Sequence, residues 1–340
     1  MNRTTLYFTA PKQVELREEQ IPDLGADEIL VETVCSAISA GTEMLVYQGR
    51  FPRNLETDSA IEALRGGFKY PMAYGYACVG KVAEVGKSVN RNWADRLVFA
   101  FQPHSSHFGA SAESLLPIPS SLSPESASFL PNMETAVNLV QDAAPILGER
   151  ALVLGQGVVG LLTAALLHEF PLETLVTADR HELRRKASLD LGVTDALDAA
   201  ASNFHPAARS LSNRKNYDLT FELSGSPAAL DDAIALTAFS GRVIIGSWYG
   251  EKRAPIDLGG AFHRSRIQLI SSQVSTIAPE LSGRWDKSRR FEVAWKALER
   301  IKPEKWITHR FALQKAAEAY RLLDESPQET IQIVFEPATT

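Results

Sequence analysis

The stretch ALVLGQGVVGLLTAALL, residues 151–167, decides the fold. A short apolar run precedes three glycines in the pattern G-x-G-x-x-G, at Gly155, Gly157 and Gly160, and a longer apolar run follows them. The short run is typical of a buried strand and the longer run of a helix. In this arrangement the first glycine allows a tight turn, the second a close approach of phosphate to the backbone, and the third close packing of helix and strand. The stretch therefore predicts the dinucleotide-binding turn of a doubly wound α/β domain.

An acidic residue closes the next predicted strand. The run TLVTAD, residues 174–179, ends in Asp179. A carboxylate about 20 residues after the glycines is placed to bind both ribose hydroxyls of a dinucleotide. Such a carboxylate repels a 2′-phosphate, so NAD is favoured over NADP as the cofactor. Arg180, Arg184 and Arg185 follow closely, and they keep NADP as an alternative.

Strands and helices continue to alternate from about residue 148 onward. Apolar runs such as 217–225 and 241–246 separate stretches with helical spacing. This alternation implies a parallel sheet covered by helices, in which ligands bind at the carboxyl ends of the strands. We therefore predict a cofactor-binding domain over residues 121–303. The predicted cofactor-binding residues are Gly155, Gln156, Gly157, Val158, Val159, Gly160, Asp179, Arg180, Ser224, Gly225 and Gly246.

The first 120 residues have a different rhythm. Short runs rich in Val and Ile, such as 28–39 and 75–86, are broken by Gly, Asn and Pro, which predicts a β-rich domain. A cluster of prolines between residues 117 and 124 marks its end near residue 120. The stretch 53–70 interrupts the pattern, and we predict that it is an inserted loop with a short helix that helps to shape a substrate pocket.

Composition argues against several classes of protein. The net charge of −6 disfavours nucleic acid as a partner, because phosphate binding requires a concentrated basic face. No apolar run is long enough for a membrane span, and the first residues do not form a signal peptide. The two cysteines, Cys35 and Cys78, lie in strand-like apolar runs and do not make a disulfide framework. We therefore expect a cytoplasmic protein that acts on a small molecule.

Several stretches together resemble one family, the medium-chain dehydrogenase/reductases, and within it the subgroup that includes bacteriochlorophyllide a dehydrogenase. The resemblance implies a GroES-like catalytic domain, formed by residues 1–120 and completed by 304–340, and a Rossmann NAD(P)-binding domain over 121–303, with the active site between them. It also implies a homodimer paired through the edge of the Rossmann sheet. The matching stretches are GTE (41–43), the glycine pattern Gly75–Gly80–Gly86, ADRLVF (94–99), GQGVVG (155–160) and ITHRFALQKAAEAY (307–320).

This chain departs from the family at the residues that bind zinc. Zinc members of the family hold a catalytic metal with a Cys, a His and a third Cys or Glu. The first two of those positions fall on Ala40 and Tyr76 and the third falls near Pro131, and none of these residues offers a thiolate, an imidazole or a carboxylate. Glu43 matches the acidic residue that supports the zinc-binding histidine, although that histidine is missing. The separate structural zinc site needs four closely spaced cysteines, and this chain has 2. We therefore expect no zinc.

A dehydrogenase without a metal needs side chains that handle the proton and the substrate oxygen. The resemblance makes Thr42 the start of a proton relay. His104 and His107 follow a strand whose end lines the substrate pocket in the family, so either is a candidate general acid near neutral pH. Together with Glu134 they also offer an alternative, a relocated metal site. The phenol of Tyr76 can also point at the substrate.

Each of these candidates has an ordinary structural interpretation as well. Thr42 can be a satisfied turn hydroxyl, and the two histidines can be packed or solvated loop residues. Tyr76 can fill the volume that a metal leaves behind. Glu134 can favour the dipole in the first turn of a helix. The sequence leaves these alternatives open.

The sequence therefore predicts a zinc-independent, NAD(P)-dependent oxidoreductase that interconverts a secondary alcohol and a ketone on a bulky or aromatic small molecule. Two rivals remain. One is an NAD(P)H-dependent reductase of an activated double bond, of the enoyl or quinone type, as in other zinc-free branches of the family. The other is a protein that binds NAD(H) without catalysis.

Overall fold

The computed structural model describes residues 2–52 and 67–337. Most of the predicted insertion, residues 53–66, lies outside the described residues. The chain divides into two compact units, the first formed by Met1–Pro131 with Leu298–Thr340 and the second by Asn132–Ala297. The predicted domain limits at 120 and 303 differ slightly from these bounds.

The residues just after position 120 belong to the first unit by their contacts. The hydroxyl of Ser121 donates a hydrogen bond to Glu299, and the hydroxyl of Ser126 donates one to Glu304. Both carboxylates lie in the C-terminal part of the first unit. The prolines near residue 120 therefore mark turns of the chain, while packing continues beyond them.

The strands and α-helices are numbered here in chain order. The strands are β1 Asn2–Ala10, β2 Gln13–Gln20, β3 Glu28–Ala37, β4 Met72–Ala73, β5 Cys78–Val85, β6 Leu97–Ala100, β7 His107–Ser111, β8 Leu116–Pro117, β9 Arg150–Leu154, β10 Thr174–Asp179, β11 Asp195–Asp198, β12 Tyr217–Glu222, β13 Thr237–Ile245, β14 Gln268–Ser271, β15 Ile307–Ala312 and β16 Gln332–Glu336. The helices are α1 Ala40–Tyr47, α2 Pro124–Ala127, α3 Leu130–Ala143, α4 Val158–His168, α5 Glu182–Leu189, α6 Phe204–Leu211, α7 Ala229–Leu236, α8 Lys287–Ile301 and α9 Ala316–Glu325.

The first unit is rich in β-structure, as predicted. One sheet has the strand order β2-β1-β4, and a larger one has the order β15-β16-β3-β5-β6-β8, with β7 also paired to β3. The C-terminal strand β16 pairs with β3 in the register Val334↔Ala37, so the tail of the chain completes this sheet. Aliphatic side chains from β3, β5 and β6, among them Val31, Val82 and Val98, form its core.

The second unit is a parallel, doubly wound α/β domain. Its strands lie in the order β11-β10-β9-β12-β13-β14, which is the order 3-2-1-4-5-6 of two mononucleotide-binding halves. Strands β9 and β10 are buried along their whole length, because helices cover both faces of such a sheet. The predicted α/β fold, a β-rich domain with a Rossmann-type domain, is confirmed.

Two smaller expectations can be compared with the structure. Cys35 and Cys78 are free and buried, as predicted, and burial raises the pKa of the Cys78 thiol to about 12. Within the described residues, no helix combines the length and the apolar character that crossing a membrane requires.

Candidate cofactor and catalytic sites

The glycine-rich turn between β9 and α4 shows a different constraint at each glycine. Gly155 has a φ of +91°, and a Cβ there would lie 2.5 Å from the Cα of Ser224. A Cβ on Gly160 would lie 1.9 Å from the carbonyl oxygen of Gly155. A Cβ on Gly157 would meet nothing within 4 Å. The first and third glycines are thus required by the fold itself, whereas the second borders open space in which a pyrophosphate can approach the backbone.

The turn leads directly into the N-terminus of α4, where Val158 and Val159 form the first turn. Gly157 is the N-cap residue, and it has no side chain to bond the first N–H groups of the helix. Such a helix N-terminus favours an anion. Gln156 is buried beneath the turn, and its Nε2 donates to the carbonyl oxygens of Val153 and Gly155 at 3.2 and 3.0 Å. Gln156 therefore braces the turn through its side chain.

Asp179 is bonded to the same turn. One carboxylate oxygen, Oδ2, accepts the backbone N–H of Gln156 at 2.7 Å, and the other, Oδ1, accepts that of His181 at 2.8 Å. The guanidinium of Arg184 lies 4.0 Å from Oδ2. Arg185 donates to the backbone carbonyl of Asp179 at 3.0 Å. The sequence predicted that Asp179 binds a ribose, and in the structure its carboxylate is bonded to the glycine-rich turn.

The carboxyl ends of β12 and β13 carry a polar cluster that the sequence reasoning found only in part. Ser224 and Gly225 were predicted, but the buried carboxylate of Glu222 was missed. Glu222 accepts the backbone N–H and the hydroxyl of Ser224, and the phenol of Tyr249 donates to it at 2.5 Å. Burial and the Glu222 charge both raise the pKa of Tyr249. An acidic residue ending the buried run YDLTFE was the available signal.

Gly246, which was predicted to bind the cofactor, follows β13 and is closely packed, and its neighbour Ser247 is hydrogen-bonded to Gly225 in the turn after β12. A Cβ on Gly246 would lie 2.6 Å from side-chain carbons of both Leu139 and Leu223. The hydroxyl of Ser247 accepts the backbone N–H of Gly225 at 2.9 Å. Gly246 thus permits the close approach of α3 to the sheet. Arg180, which was also predicted to bind the cofactor, is exposed just after the end of β10.

Glu134 lies on α3 in the second unit, where it pairs with the buried Arg290 of α8. Nε and Nη2 of Arg290 donate to Oε1 of Glu134 at 3.1 and 2.7 Å. Nη1 donates to Asn138 at 2.6 Å and to the carbonyl of Thr276 at 3.1 Å, and Nη2 also donates to the carbonyl of Val274. All five N–H donors of the guanidinium are therefore used. Glu134 is an ion-pair partner in this structure, a role that the sequence did not suggest.

His104 and Glu43 form a buried pair in the first unit. Nε2 of His104 lies 3.0 Å from Oε2 of Glu43, and both side chains are fully buried. Nδ1 of His104 lies 2.8 Å from the hydroxyl of Ser36. The phenol of Tyr320 also donates to Oε2 of Glu43. Burial and the Glu43 charge raise the pKa of Tyr320 well above its usual value.

Thr42 and Tyr76 are both connected to this pair through Ser39. Thr42 is half-buried in the first turn of α1, where its backbone N–H donates to the carbonyl of Ser39 at 3.1 Å. Tyr76 is partly exposed, and its phenol donates to the hydroxyl of Ser39. The backbone N–H of Ser39 donates to Oε1 of Glu43 at 2.7 Å. Ser39 therefore links Tyr76 to the buried pair.

His107 is not in a loop beside His104. It is the first residue of β7, in register with Glu32 of β3, and its Nδ1 lies 3.1 Å from the hydroxyl of Ser106. The structure thus separates the two histidines that the sequence had grouped, because one enters the core and the other joins a sheet. Among residues 2–52 and 67–337, no group of three or more His, Cys, Asp or Glu side chains is arranged to hold a metal ion.

The residues at which the resemblance expects zinc ligands do not fit zinc. Ala40 has no donor atom, Pro131 has none in its side chain, and the phenol of Tyr76 is bonded to Ser39. Zinc requires thiolate, imidazole or carboxylate ligands. The carboxylate of Glu43 is already bonded to His104 and Tyr320. By contrast, the glycine-rich turn and Asp179 fit a dinucleotide.

Comparisons with known proteins agree with this fold. Residues 158–290 match the family described as zinc-binding dehydrogenase. Sorbitol dehydrogenase of Bacillus subtilis (strain 168) is 20% identical to this chain over 278 residues, which cover 73% of this chain and 75% of that protein.

Solved structures resemble the whole chain. A short chain alcohol dehydrogenase from Escherichia coli CFT073, complexed with NADH, has a TM-score of 0.78 at 19% identity, covering 98% of this chain and 99% of that one. The 2R,3R-butanediol dehydrogenase of Bacillus subtilis has a TM-score of 0.79 at 17% identity, with the same coverage of 98% and 99%. At these identities the likeness concerns the fold.

Proposed function

We propose that this chain, which belongs to the superfamily of the medium-chain, zinc-binding dehydrogenases, is an NAD(P)-dependent alcohol dehydrogenase-type enzyme that interconverts a secondary alcohol and a ketone without zinc. One observation carries the zinc-independent part. The resemblance places the zinc ligands of the family at Ala40, at Tyr76 and near Pro131, where no zinc-binding side chain stands, and the carboxylate of Glu43 is bonded to His104 and Tyr320.

The second unit supplies the cofactor site. Gly157 and the N-terminus of α4 would hold the pyrophosphate, and Asp179 would accept the ribose hydroxyls. Each carboxylate oxygen of Asp179 accepts one backbone N–H and retains further acceptor capacity. A bound nicotinamide cofactor supplies the hydride chemistry. The negative charge of Asp179 next to the ribose favours NAD over NADP.

We propose Tyr76 as the group that handles the substrate oxygen. It is partly exposed, unlike His104, and it carries a hydroxyl that can donate to a developing alkoxide. Its hydrogen bond to Ser39 offers a way to hold the resulting charge. When Tyr76 gives up its proton, the hydroxyl of Ser39 can turn to donate to the phenolate oxygen.

Thr42 remains the second candidate for the same task, because its hydroxyl lies in the first turn of α1, adjacent in sequence to Glu43. His107 is a third candidate, since its ring is only partly buried. Each of the three assignments predicts that a different single variant loses activity. Tyr76→Phe, Thr42→Val and His107→Gln each delete one donor at nearly constant volume.

The rings next to Tyr76 support a bulky or aromatic substrate. The rings of Tyr76 and Tyr74 are arranged edge to face, with their centroids 6.3 Å apart. The centroid of Tyr74 lies 6.0 Å from that of Phe68, and Phe68 stacks on Phe51 at a centroid distance of 4.8 Å. Phe51, Phe68 and Tyr74 are buried, and Tyr76 is the partly exposed member of this row. A partly exposed ring at the end of an aromatic row offers a surface for a flat, apolar substrate.

Product analysis tests the reaction type. Purified enzyme with NADH or NADPH should convert aromatic ketones to secondary alcohols, and the reverse reaction should run with NAD. Enones reduced at the carbon–carbon bond, with the ketone retained, would instead support a double-bond reductase. Tight NADH binding without turnover of any carbonyl or enone would support a non-catalytic NAD(H)-binding protein. Elemental analysis of the active enzyme then tests zinc, and near-stoichiometric zinc in active protein would contradict the proposal.

We also propose a homodimer formed through the second unit. β14 is the last strand in the order of its sheet, and its backbone is therefore available to pair with β14 of a second copy. Light scattering coupled to gel filtration measures the mass directly. A monomer at micromolar concentration would contradict this part of the proposal.

A further inference from the structure

The first unit buries two ionisable side chains in direct contact, Glu43 and His104. Both are 0% exposed, and Nε2 of the imidazole lies 3.0 Å from Oε2 of the carboxylate. Burying such groups costs free energy unless each is paired and hydrogen-bonded, and apolar side chains of similar volume are often at least as stable. Packing alone therefore gives no reason for this pair.

The carboxylate of Glu43 has three donors around it, and they come from different parts of the unit. Tyr320 of α9 and His104 are hydrogen-bonded to Oε2, whereas the backbone N–H of Ser39, immediately before α1, donates to Oε1. A carboxylate bonded at both oxygens is fixed in orientation. The position of the Ser39 backbone is thereby fixed as well.

Both members of the pair constrain the chain at Tyr76. On one side Glu43 holds Ser39, whose hydroxyl accepts the phenol of Tyr76. On the other side Gly75, the residue before Tyr76, packs on the imidazole of His104. Gly75 has a φ of +119°, and a Cβ there would lie 2.7 Å from Cδ2 of His104. The tyrosine is therefore located both through its hydroxyl and through its backbone.

We infer that Glu43 and His104 are positioning residues that hold Tyr76 and Ser39 in the geometry needed for proton transfer to the substrate oxygen. This inference rests on the proposed function. Neither residue is a catalytic residue here, since both side chains are fully buried. Glu43 acts through Ser39, and His104 acts through Gly75. The pair takes over, by hydrogen bonds, the task of fixing the reactive group that a metal and its ligands perform in other enzymes.

The substitution Glu43→Gln tests the inference with little change of shape. A glutamine has one acceptor oxygen and one amide nitrogen, so it cannot accept at both ends. Either the Ser39 N–H or the Tyr320 and His104 donors lose their acceptor. We expect kcat to fall about 10- to 100-fold, as when a group that orients a metal ligand is removed, with NADH affinity unchanged. The pH at which kcat changes should also shift, because the surroundings of the Tyr76 phenol change.

Two further variants keep the test decisive if Glu43→Gln folds poorly. Tyr320→Phe removes one donor to Glu43 and should lower kcat less than Glu43→Gln does. The matched control is Tyr7→Phe, which removes a tyrosine–glutamate hydrogen bond of 2.7 Å to Glu19 elsewhere in the same unit. The control should leave kcat and its pH profile unchanged.

A spectroscopic signature separates this inference from the proposed function. With ring-labelled tyrosine, the NMR signal of Tyr76 is identified by its loss in Tyr76→Phe, and Glu43→Gln and Tyr320→Phe should move it, whereas Tyr7→Phe should not. If Tyr76→Phe keeps full activity while the signal moves, the catalytic assignment fails and the positioning contact stands. If Tyr76→Phe abolishes activity but Glu43→Gln and Tyr320→Phe change neither kcat nor the signal, the inference is overturned.

Discussion

The backbone N–H of Gln156 donates to Oδ2 of Asp179 at 2.7 Å, so the glycine-rich turn and the carboxylate at the end of β10 are one bonded unit. A change at either residue therefore affects both halves of the proposed cofactor site. This coupling has a direct consequence for attempts to alter the cofactor preference.

The substitution Asp179→Ser should not convert the enzyme cleanly to NADP. Removing the charge relieves repulsion of a 2′-phosphate, but it also leaves the buried N–H of Gln156 without its acceptor, which costs about 1–3 kcal/mol. We expect weaker binding of NAD and a lower melting temperature in the absence of cofactor. Titration by NADH fluorescence, together with thermal unfolding, measures both effects. A variant with unchanged stability would show that the Gln156 contact contributes little.

The three glycines of the turn should respond differently to alanine. Gly157→Ala places a Cβ in open space, so the protein should fold normally and bind NADH roughly tenfold more weakly, a loss of about 1.4 kcal/mol. Gly155→Ala places a Cβ 2.5 Å from backbone atoms at a residue whose φ is +91°. The substitution should therefore destabilise the cofactor-free protein by more than about 1 kcal/mol. Unfolding curves with and without NADH distinguish the two. The reverse ranking would contradict the described turn.

Arg290 and Glu134 should behave as a coupled pair. Arg290→Met leaves Glu134 without its main partner, and we expect a loss of about 3–5 kcal/mol in the free energy of unfolding. The double variant Arg290→Met with Glu134→Leu should recover much of that loss, since it removes the stranded charge. Denaturant unfolding of the four proteins in the cycle gives the coupling. Strictly additive losses would mean that the two side chains do not interact.

Asp142 should make stability depend on pH in a defined direction. Burial raises the pKa of Asp142 in the folded protein, although hydrogen bonds from Ser272 and Asn138 oppose the shift. A raised folded pKa means that the folded state holds this proton more tightly, so stability falls as the pH rises through that range. Asp142→Asn keeps an acceptor oxygen and removes the charge.

The Asp142→Asn variant should therefore gain stability relative to the parent at neutral pH. The gain should shrink as the pH falls through the raised folded pKa of Asp142, and it should be lost by about pH 4, below which the aspartate is protonated in both states. Denaturant unfolding at several pH values measures the difference. A gain that is constant with pH would show that titration of Asp142 is not its cause.

Much of the second unit could be predicted because its rules are local. The glycines of the turn, the buried strands and the carboxylate at the end of β10 each leave a pattern within a few residues. The parallel, doubly wound sheet and the position of the glycine-rich turn followed from these patterns. Glu222 was missed because a single acidic residue at the end of an apolar run looks like an ordinary strand end.

The pairings in the first unit were not predictable in the same way. Glu43 of α1 is bonded to His104, in the loop between β6 and β7, and to Tyr320 of α9, and these three residues lie far apart in the sequence. Nothing in the run FQPHSSHF shows which histidine turns inward, because loop geometry decides it. Glu134 likewise depends on Arg290, a residue on a helix more than a hundred positions later. Long-range polar contacts of this kind leave no periodic signal in the sequence.

The full occupation of Glu43 also bears on redesign. The substitutions Ala40→Cys and Tyr76→His would place two zinc-ligand types at the positions where the family resemblance expects them. A newly installed histidine would still lack its supporting carboxylate, because Ser39, His104 and Tyr320 already use both oxygens of Glu43. An engineered metalloenzyme on this scaffold therefore has to dismantle the buried pair first. The removal of His104 would open a void against Gly75, and position 75 cannot fill that void without strain, because its φ of +119° disfavours any residue with a side chain.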